Sequence, residues 1–301
     1  MRERGTRPRA RLLWATAATA LLTLTAATGC DTSGGAPGAK HTAASPSPTR
    51  SAPLWNPHPE SIAAVGDSVT RGFDACAVLS DCPEASWATG SDPRVRSLAV
   101  RLLGPRAAAE RGWNHAVTGA RVADLPAQIG RAAVHSPELV TVMIGANDAC
   151  RATASSMTSV SAFRKRFQKA MTVLRTALPR TQVYVSSVPD LLRLWSQGRA
   201  DPLGKEVWKL GICPSMLRDA DDLTASAEAR RGRVEKRVEA YNTVLREVCA
   251  RDRRCRFDGN AVFDYRFGTG QLSQWDWFHP SVDGQSRLAE IAYRTVTADS
   301  P

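Results

Sequence analysis

The sequence predicts an α/β fold in three layers, in which a mostly parallel sheet lies between helices. Three short runs are apolar on both faces, which is typical of strands covered by helices on each side; they occupy residues 62–65, 139–144 and 183–185. Longer segments between and after these runs carry helical patterns. Because strands and helices alternate along the chain, the three-layer α/β arrangement is favoured.

Two of the predicted helices show a clear apolar stripe. Apolar residues recur in the first at Phe163, Phe167, Met171 and Leu174, and in the second at Val234, Val238, Tyr241, Leu245 and Val248. Spacings of three and four residues place such side chains on one face of a helix. The stretch 189–229 has no clear period, so we predict a long excursion near the functional site.

The first 30 residues have the parts of a signal peptide. Five arginines precede a short apolar run at residues 12–27, which ends in small residues and is too rich in alanine and threonine for a membrane-spanning helix. Removing this segment leaves 35 basic and 28 acidic residues, a net charge of +7. No basic block with interleaved aromatics occurs, so we do not expect nucleic-acid binding.

A lipid anchor is expected at the end of this segment. Ala27-Thr28-Gly29-Cys30 resembles a bacterial lipobox, whose cysteine is lipidated, although Ala27 stands where leucine is usual. Ordinary cleavage and release is the alternative. Residues 31–57 are rich in Gly, Ala, Ser, Thr and Pro and predict a flexible tether. The globular domain is then expected at residues 58–301, either on the outer face of the cell membrane or secreted.

The cysteines support export. Besides Cys30 there are six, and an even number in an exported protein suggests disulfides, with buried free thiols as the alternative. Two pairs are close in sequence, which favours Cys76–Cys82 and Cys249–Cys255 and leaves Cys150–Cys213 by elimination. The last pair closes the longest loop and would remove the most entropy from the unfolded chain.

Two polar motifs directly follow predicted strands. Gly66-Asp67-Ser68-Val69 follows the first strand, and Gly145-Ala146-Asn147-Asp148 follows the second. Ligands of open parallel sheets bind at the carboxyl ends of strands, so both motifs are candidates for a functional site. A serine at this position is also a common helix cap, so Ser68 alone does not identify a nucleophile.

A third motif combines a carboxylate and an imidazole near the C-terminus. Asp276 precedes His279 by three residues, and Pro280 disfavours helical geometry at His279, so we predict an extended loop. An imidazole that activates a serine needs an acceptor on its second nitrogen, which a nearby aspartate supplies. Taken alone, the Asp276–His279 pair is equally compatible with a purely structural role without catalysis.

Together these motifs resemble the SGNH (GDSL-like) hydrolase family, in its branch of exported actinobacterial lipases or esterases and phospholipase B-like enzymes. The family blocks match residues 66–69, 114–120, 145–148 and 276–279 in order, with Val69 where many members have leucine. The resemblance implies a flavodoxin-like fold and a serine ester hydrolase with Ser68 as nucleophile, His279 as base and Asp276 as its partner. It also implies an oxyanion hole made by the backbone N–H groups of Ser68 and Gly119 and the amide of Asn147.

The Gly-x-Ser-x-Gly elbow of α/β-hydrolases is absent, so that fold is rejected despite the same Ser, Asp, His order. We expect no cofactor and no metal, because no cluster of His, Cys and Asp residues has the spacing that a metal site demands. We also expect a monomer. Lipid or phospholipid esters are the expected substrates, and acetyl esters of polysaccharides are the alternative. A non-catalytic surface-binding lipoprotein is the alternative of another class. Five aromatic residues are candidates for lining an acyl pocket or for core packing: Trp195, Trp208, Trp275, Trp277 and Phe278.

Overall fold

Five parallel strands form the central sheet of the computed structural model, which describes residues 54–299. The predicted signal peptide, Cys30 and the tether up to residue 53 lie outside the described residues. The strands follow the order β2-β1-β3-β4-β5 across the sheet. Their bounds are β1 Ile62–Gly66, β2 Gly112–Asn114, β3 Leu139–Met143, β4 Gln182–Val185 and β5 Cys255–Phe257.

The three apolar runs of the sequence form the three central strands, β1, β3 and β4. Every residue of these strands is buried, because helices cover both faces of the sheet. The edge strands β2 and β5 have only three residues each, and most of these are half-exposed. Such short edges lack a continuous apolar run, which explains why the sequence pattern does not reveal them.

Helices pack on both faces of this sheet. Their bounds are α1 Ser68–Arg71, α2 Leu98–Leu103, α3 Pro105–Arg111, α4 Leu125–Ala133, α5 Ala146–Ala149, α6 Val160–Ala177, α7 Leu191–Gly198, α8 Pro202–Trp208, α9 Pro214–Leu217, α10 Ala225–Cys249, α11 Ala261–Asp264 and α12 Val282–Thr297. Helices α4, α6 and α10 pack side by side on one face, and α2 and α12 cover the other. The predicted three-layer α/β fold with a parallel sheet is therefore confirmed.

The apolar stripes of the sequence lie on the buried faces of α6 and α10. The excursion at 189–229 contains three short helices, α7 to α9, before α10 begins at Ala225. Each has eight residues or fewer, too short for an apolar period to stand out. Asp190 and Asp201 cap the first two, since their side chains accept backbone N–H groups of the first helical turn.

Residues 54–57, the end of the predicted tether, lie against the domain. The indole N–H of Trp55 donates to the carbonyl of Val296 at 2.9 Å, and the guanidinium of Arg256 lies 4.3 Å from the centre of the Trp55 ring. Within the described residues, no helix is both long enough and apolar enough to cross a bilayer.

Three disulfides staple the domain: Cys76–Cys82, Cys150–Cys213 and Cys249–Cys255. They are the pairs that the sequence spacing favours. The first closes a loop after α1, the second joins the end of α5 to the start of α9, and the third joins the end of α10 to β5. Disulfides of this number are typical of proteins that fold in an oxidising compartment.

Candidate active site

The sheet order reverses between β1 and β3, and the polar motifs lie at that point. β1 pairs with β2 on one side and with β3 on the other, so the connections after β1 and β3 leave the sheet in different directions. A crevice opens at such a switch point, at the carboxyl ends of the strands. Ser68 follows β1 and Asn147 follows β3, so both reach this crevice.

The turn that carries Ser68 requires a glycine before it. Gly66 has φ +152°, and a Cβ atom there would lie 2.3 Å from the carbonyl oxygen of Met143 on β3. Asp67 then caps α1, because its carboxylate accepts the backbone N–H of Val69 at 3.1 Å. The structure thus gives the capping role to Asp67, and the hydroxyl of Ser68, the first residue of α1, is left for another partner.

Two glutamines fix this turn from opposite layers. Gln128 of α4 bonds both backbone groups of Gly66, accepting its N–H at 2.7 Å and donating to its carbonyl at 2.9 Å. Gln285 of α12 donates to the carbonyl of Val69 at 2.9 Å. Both side chains are buried, so the turn around Ser68 is held by hydrogen bonds that water does not reach. Nothing in the local sequence marks either glutamine for this role.

Three side chains from distant parts of the chain form a hydrogen-bonded series. Nε2 of His279 lies 2.9 Å from Oγ of Ser68, and Nδ1 of His279 lies 2.5 Å from Oδ2 of Asp276. The other carboxylate oxygen of Asp276 accepts the backbone N–H groups of Phe278 and His279 at 3.0 and 2.9 Å. The Asp276–His279 loop therefore fixes the ring of His279 with one nitrogen facing Ser68.

The charges of this series favour an imidazole that takes up a proton. Burial alone would lower the pKa of His279, but the negative charge of Asp276 and the hydrogen bond to it outweigh burial and raise the pKa. Burial alone would raise the pKa of Asp276, yet the charge of His279 and the bonds from it hold that pKa below its usual value. The pair can hold an imidazolium next to a carboxylate.

Asp67 adds a buried carboxyl group beside Ser68. Burial raises the pKa of Asp67 to about 7, against the opposing effect of the Val69 N–H group and the positive charge of His279. The site therefore contains a carboxyl group that is part-protonated near neutral pH, and its charge acts on His279.

Gly119 and Asn147 face the same cavity as Ser68 and His279. Gly119 has φ +81°, in a turn where the N–H of Ala120 donates to the carbonyl of Val117 at 3.0 Å, so a glycine is favoured there. Among residues 54–299, the N–H of Gly119 has no carbonyl acceptor. The amide of Asn147 donates one N–H to the carbonyl of Ala120 at 3.1 Å, which leaves its second N–H for a ligand.

The cavity in front of Ser68 has a volume of about 200 Å³ and a largely apolar wall. The wall includes Leu191, Leu194, Ile212, Phe267 and Phe278, and the Cys150–Cys213 disulfide closes one side. The excursion between β4 and α10 thus supplies much of this wall, as the sequence predicts for a segment near the site.

Of the five aromatic residues proposed for an acyl pocket, only Phe278 lines this cavity. Trp195 and Trp208 are buried elsewhere: the guanidinium of Arg231 stacks on the Trp195 ring at 4.1 Å, and the indole N–H of Trp208 donates to the carbonyl of Asp276 at 2.6 Å. Trp208 thus supports the loop of Asp276 and His279 from outside the cavity, and neither tryptophan lines the cavity, which corrects the acyl-pocket interpretation for both.

A fourth ionisable group, Asp74, lies next to this series, and the sequence motifs do not reveal it. Ligand atoms of Asp74, Asp276 and His279 lie within 4.8 Å of one another, near enough for a metal ion. Both ring nitrogens of His279 are already engaged by Ser68 and Asp276, so no nitrogen lone pair remains for a metal. The arrangement fits proton sharing better than metal binding.

Replacing Asn147 by alanine should lower kcat for ester hydrolysis by about 10²–10³-fold with little change in KM. In the role that the family resemblance implies, this amide would donate to an oxyanion that exists only in the transition state. Steady-state kinetics with a soluble ester checks this. Asn242→Ala is the matched control: its buried amide binds both backbone groups of Val188, so its loss should lower Tm and leave kcat near the wild-type value. Equal kcat for Asn147→Ala and wild type would contradict the assignment.

Comparisons with known proteins agree with the motifs. The profile of the family described as GDSL-like Lipase/Acylhydrolase matches residues 62–292. No curated protein sequence matches the chain.

Among solved structures the chain is similar to an α/β hydrolase enzyme from the metagenome of Lake Arreo, Spain, with 18% identity, a TM-score of 0.47, and coverage of 79% of this chain and 94% of the other. It is similar to phospholipase A1 from Streptomyces albidoflavus, with 19% identity, a TM-score of 0.46, and coverage of 79% and 99%. For the extracellular lipase of Streptomyces rimosus the identity is 17%, the TM-score 0.44, and the coverage 79% and 99%.

Proposed function

The chain belongs to the GDSL-like lipase/acylhydrolase family, and from this premise we propose that it is a serine carboxylester hydrolase that forms an acyl-enzyme on Ser68. The observation that carries the proposal is the series Ser68–His279–Asp276, which opens on a cavity also lined by Gly119 and Asn147. Nucleophile, base, orienting carboxylate and oxyanion donors are the parts that acyl transfer requires.

In the proposed reaction, Oγ of Ser68 attacks the ester carbonyl while Nε2 of His279 takes the serine proton. Asp276 keeps the Nδ1–H tautomer of the ring and stabilises the imidazolium that forms. The carbonyl oxygen becomes an oxyanion, which the amide of Asn147 and the N–H groups of Ser68 and Gly119 would stabilise. The C–O bond to the alcohol then breaks, and His279 returns the proton to the leaving oxygen.

Hydrolysis of the acyl-enzyme repeats these steps with water. His279 removes a proton from water as the water oxygen attacks the acyl carbon, and the second tetrahedral intermediate breaks its bond to Ser68. The carboxylic acid leaves, and the proton on His279 returns to Oγ of Ser68. The enzyme is thus regenerated without an added cofactor.

The apolar cavity wall supports a lipid-like acyl ester as the substrate. An acyl chain would bury apolar surface against Leu191, Leu194 and Phe267, whereas an acetyl group would leave most of this wall uncovered. Large exposed apolar side chains also lie beside the cavity: Val117 precedes a lining residue, and Leu210 precedes the lining residue Gly211. Leu79 is on the loop whose Asp81 accepts a hydrogen bond from the cavity residue Thr118.

We expect the double variant Leu79→Asp/Leu210→Asp to lose about tenfold or more in activity on an emulsified long-chain ester. Each exposed leucine that enters a lipid surface contributes roughly 1–3 kcal/mol to the free energy of binding that surface, and aspartate removes this contribution. Hydrolysis of a soluble short-chain p-nitrophenyl ester should stay unchanged, because neither side chain lines the cavity.

Val134→Asp is the matched control, since Val134 is 81% exposed but follows α4 just before β3 begins, at the opposite end of the sheet. Its activity on both esters should equal wild type. A preference for acetylated glycans over long-chain esters, with no effect of the double variant, would favour the polysaccharide alternative. An absence of all ester hydrolysis would favour the non-catalytic binding protein.

We also propose that the chain is exported and anchored through Cys30, which follows from the N-terminal sequence. Three disulfides support an oxidising compartment. Mass spectrometry of the mature protein from its native membrane tests this: a diacylglyceryl cysteine at Cys30 is expected, and a cleaved N-terminus without lipid would indicate secretion.

A further inference from the structure

Asp74 is a buried carboxyl group that the proposed reaction does not use. Its side chain is fully buried, and its oxygens lie within the same 4.8 Å cluster as the carboxylate of Asp276 and the ring of His279. Neither carboxyl oxygen of Asp74 has a hydrogen bond of good geometry among the described residues; the backbone N–H of Leu79 lies close enough to lower its pKa, but burial outweighs this contact. An unpaired buried charge would be strongly destabilising, so its position needs an explanation.

The backbone holds Asp74 in this position by several contacts. Its φ is +57°, an unfavourable value for a residue with a side chain. Its N–H donates to the carbonyl of Ser80 at 2.9 Å, and its carbonyl accepts the hydroxyl of Ser273 at 2.6 Å. The Cys76–Cys82 disulfide closes the loop that follows. Strained backbone kept by surrounding contacts is common at functional sites.

The contact between the two carboxyl groups is attractive only if they share a proton. Asp276 already accepts three hydrogen bonds, from Nδ1 of His279 and two backbone N–H groups. Burial and the negative charge of Asp276 raise the pKa of Asp74 to about 6, while the pKa of Asp276 is lowered. The proton therefore resides on Asp74, as expected for the less stabilised member of a carboxyl pair.

The other charged groups that act on this pair belong to the site itself. The positive charge of His279 lowers the pKa of Asp74. Asp67, on the turn after β1, raises the pKa of His279, as Asp74 does. Arg71, the nearest arginine in sequence, is paired with Asp81 at 3.0 Å. Ionisation of Asp74 thus adds a negative charge that Asp276 repels and His279 attracts.

We propose that Asp74 is a positioning residue that sets the basicity of His279 through Asp276. When protonated, Asp74 donates its O–H to the carboxylate of Asp276 and weakens the hold of Asp276 on His279. When ionised, it adds a second negative charge near the imidazole and makes His279 a stronger base. This inference rests on the proposed roles of Ser68, His279 and Asp276.

The pH dependence of kcat/KM for a soluble short-chain ester tests the proposal in the full chain. The rate falls at low pH as His279 becomes protonated, so the acid limb follows the pKa of His279. Asp74→Asn keeps the shape and an N–H donor but never ionises. Because the Asp74 charge raises the pKa of His279, its removal should move the acid limb to lower pH, by about one unit.

Asp258→Asn is the control for loss of a buried carboxylate elsewhere. Asp258 is also buried, but it bonds to Ser187 and to backbone N–H groups after β5 rather than to His279. Its variant should lower Tm and keep the wild-type acid limb. An acid limb that is the same in Asp74→Asn and wild type would overturn the inference, whereas a wild-type protein without esterase activity would overturn the proposed function itself.

A measurement that leaves Asp74 unaltered keeps the inference testable even if its variants do not fold. The Nδ1–H resonance of His279, followed by NMR against pH in the wild-type protein and in Asp67→Asn, should show an inflection from Asp74 in addition to the titration of His279 itself. Asp67→Asn removes the inflection that Asp67 adds, so a resonance with a single inflection in that variant would overturn the proposal.

Discussion

Replacing Ser68 by alanine should lower kcat for ester hydrolysis by about 10⁴–10⁶-fold, with Tm nearly unchanged. Removing the nucleophile of a comparable triad leaves only the rate that binding and oxyanion stabilisation supply. The hydroxyl of Ser68 has His279 as its side-chain partner, so its loss removes one hydrogen bond from the fold. Steady-state kinetics and thermal unfolding of the two proteins measure both effects.

Covalent labelling gives the same prediction an independent readout. A fluorophosphonate should form an adduct on Ser68 in the wild-type protein, located by mass spectrometry of the digested chain. His279→Ala should fold but label far more slowly, because the base is absent. Ser187→Ala is the matched serine control: its hydroxyl donates to Asp258 at 2.8 Å, so it should lose stability and keep its activity. Wild-type turnover in Ser68→Ala would rule out the mechanism.

Removing the Cys150–Cys213 disulfide should have the largest effect on stability. The bond closes a loop with a sequence separation of 63 residues, and its loss should lower the free energy of unfolding by about 4 kcal/mol. Both half-cystines line the cavity, and the N–H of Ser215 donates to the carbonyl of Arg151 at 2.9 Å across the joined segments. We therefore expect the double variant Cys150→Ser/Cys213→Ser to lose activity as well as stability.

Urea unfolding of this variant and of Cys249→Ser/Cys255→Ser compares the loss of stability for a long and a short disulfide loop. The comparison distinguishes the effect of loop length from the effect of replacing two cysteines. The Cys249–Cys255 bond has a sequence separation of only 6 residues, so its removal should cost about 2 kcal/mol, and it lies away from the cavity lining. Activity should persist in this second variant. Equal losses of stability in the two variants would contradict the loop argument.

The sequence alone determined the features that depend on local pattern. Buried parallel strands need apolar residues on both faces, so β1, β3 and β4 stand out, and the long helices α6 and α10 show their buried stripes. The motifs around Ser68 and Asn147 lie where those strands end, which follows from the topology of a parallel sheet. The close pair Asp276 and His279 also needs no long-range information, because three residues of chain hold it together.

The resemblance to the family implies that Ser68 and His279 meet, but local spacing does not, and only the tertiary structure decided which other groups meet across the sequence. His279 reaches Ser68 over 211 residues, and Gln285 reaches Val69 over 216, contacts that no local spacing encodes. The same holds for Asp74, whose surroundings come from the C-terminal loop, and for Trp208, which supports Asp276 instead of lining the cavity. The spacing of polar residues along the chain does not indicate which groups they contact. Their pKa values and roles depend on burial and on the charges that the fold brings near them.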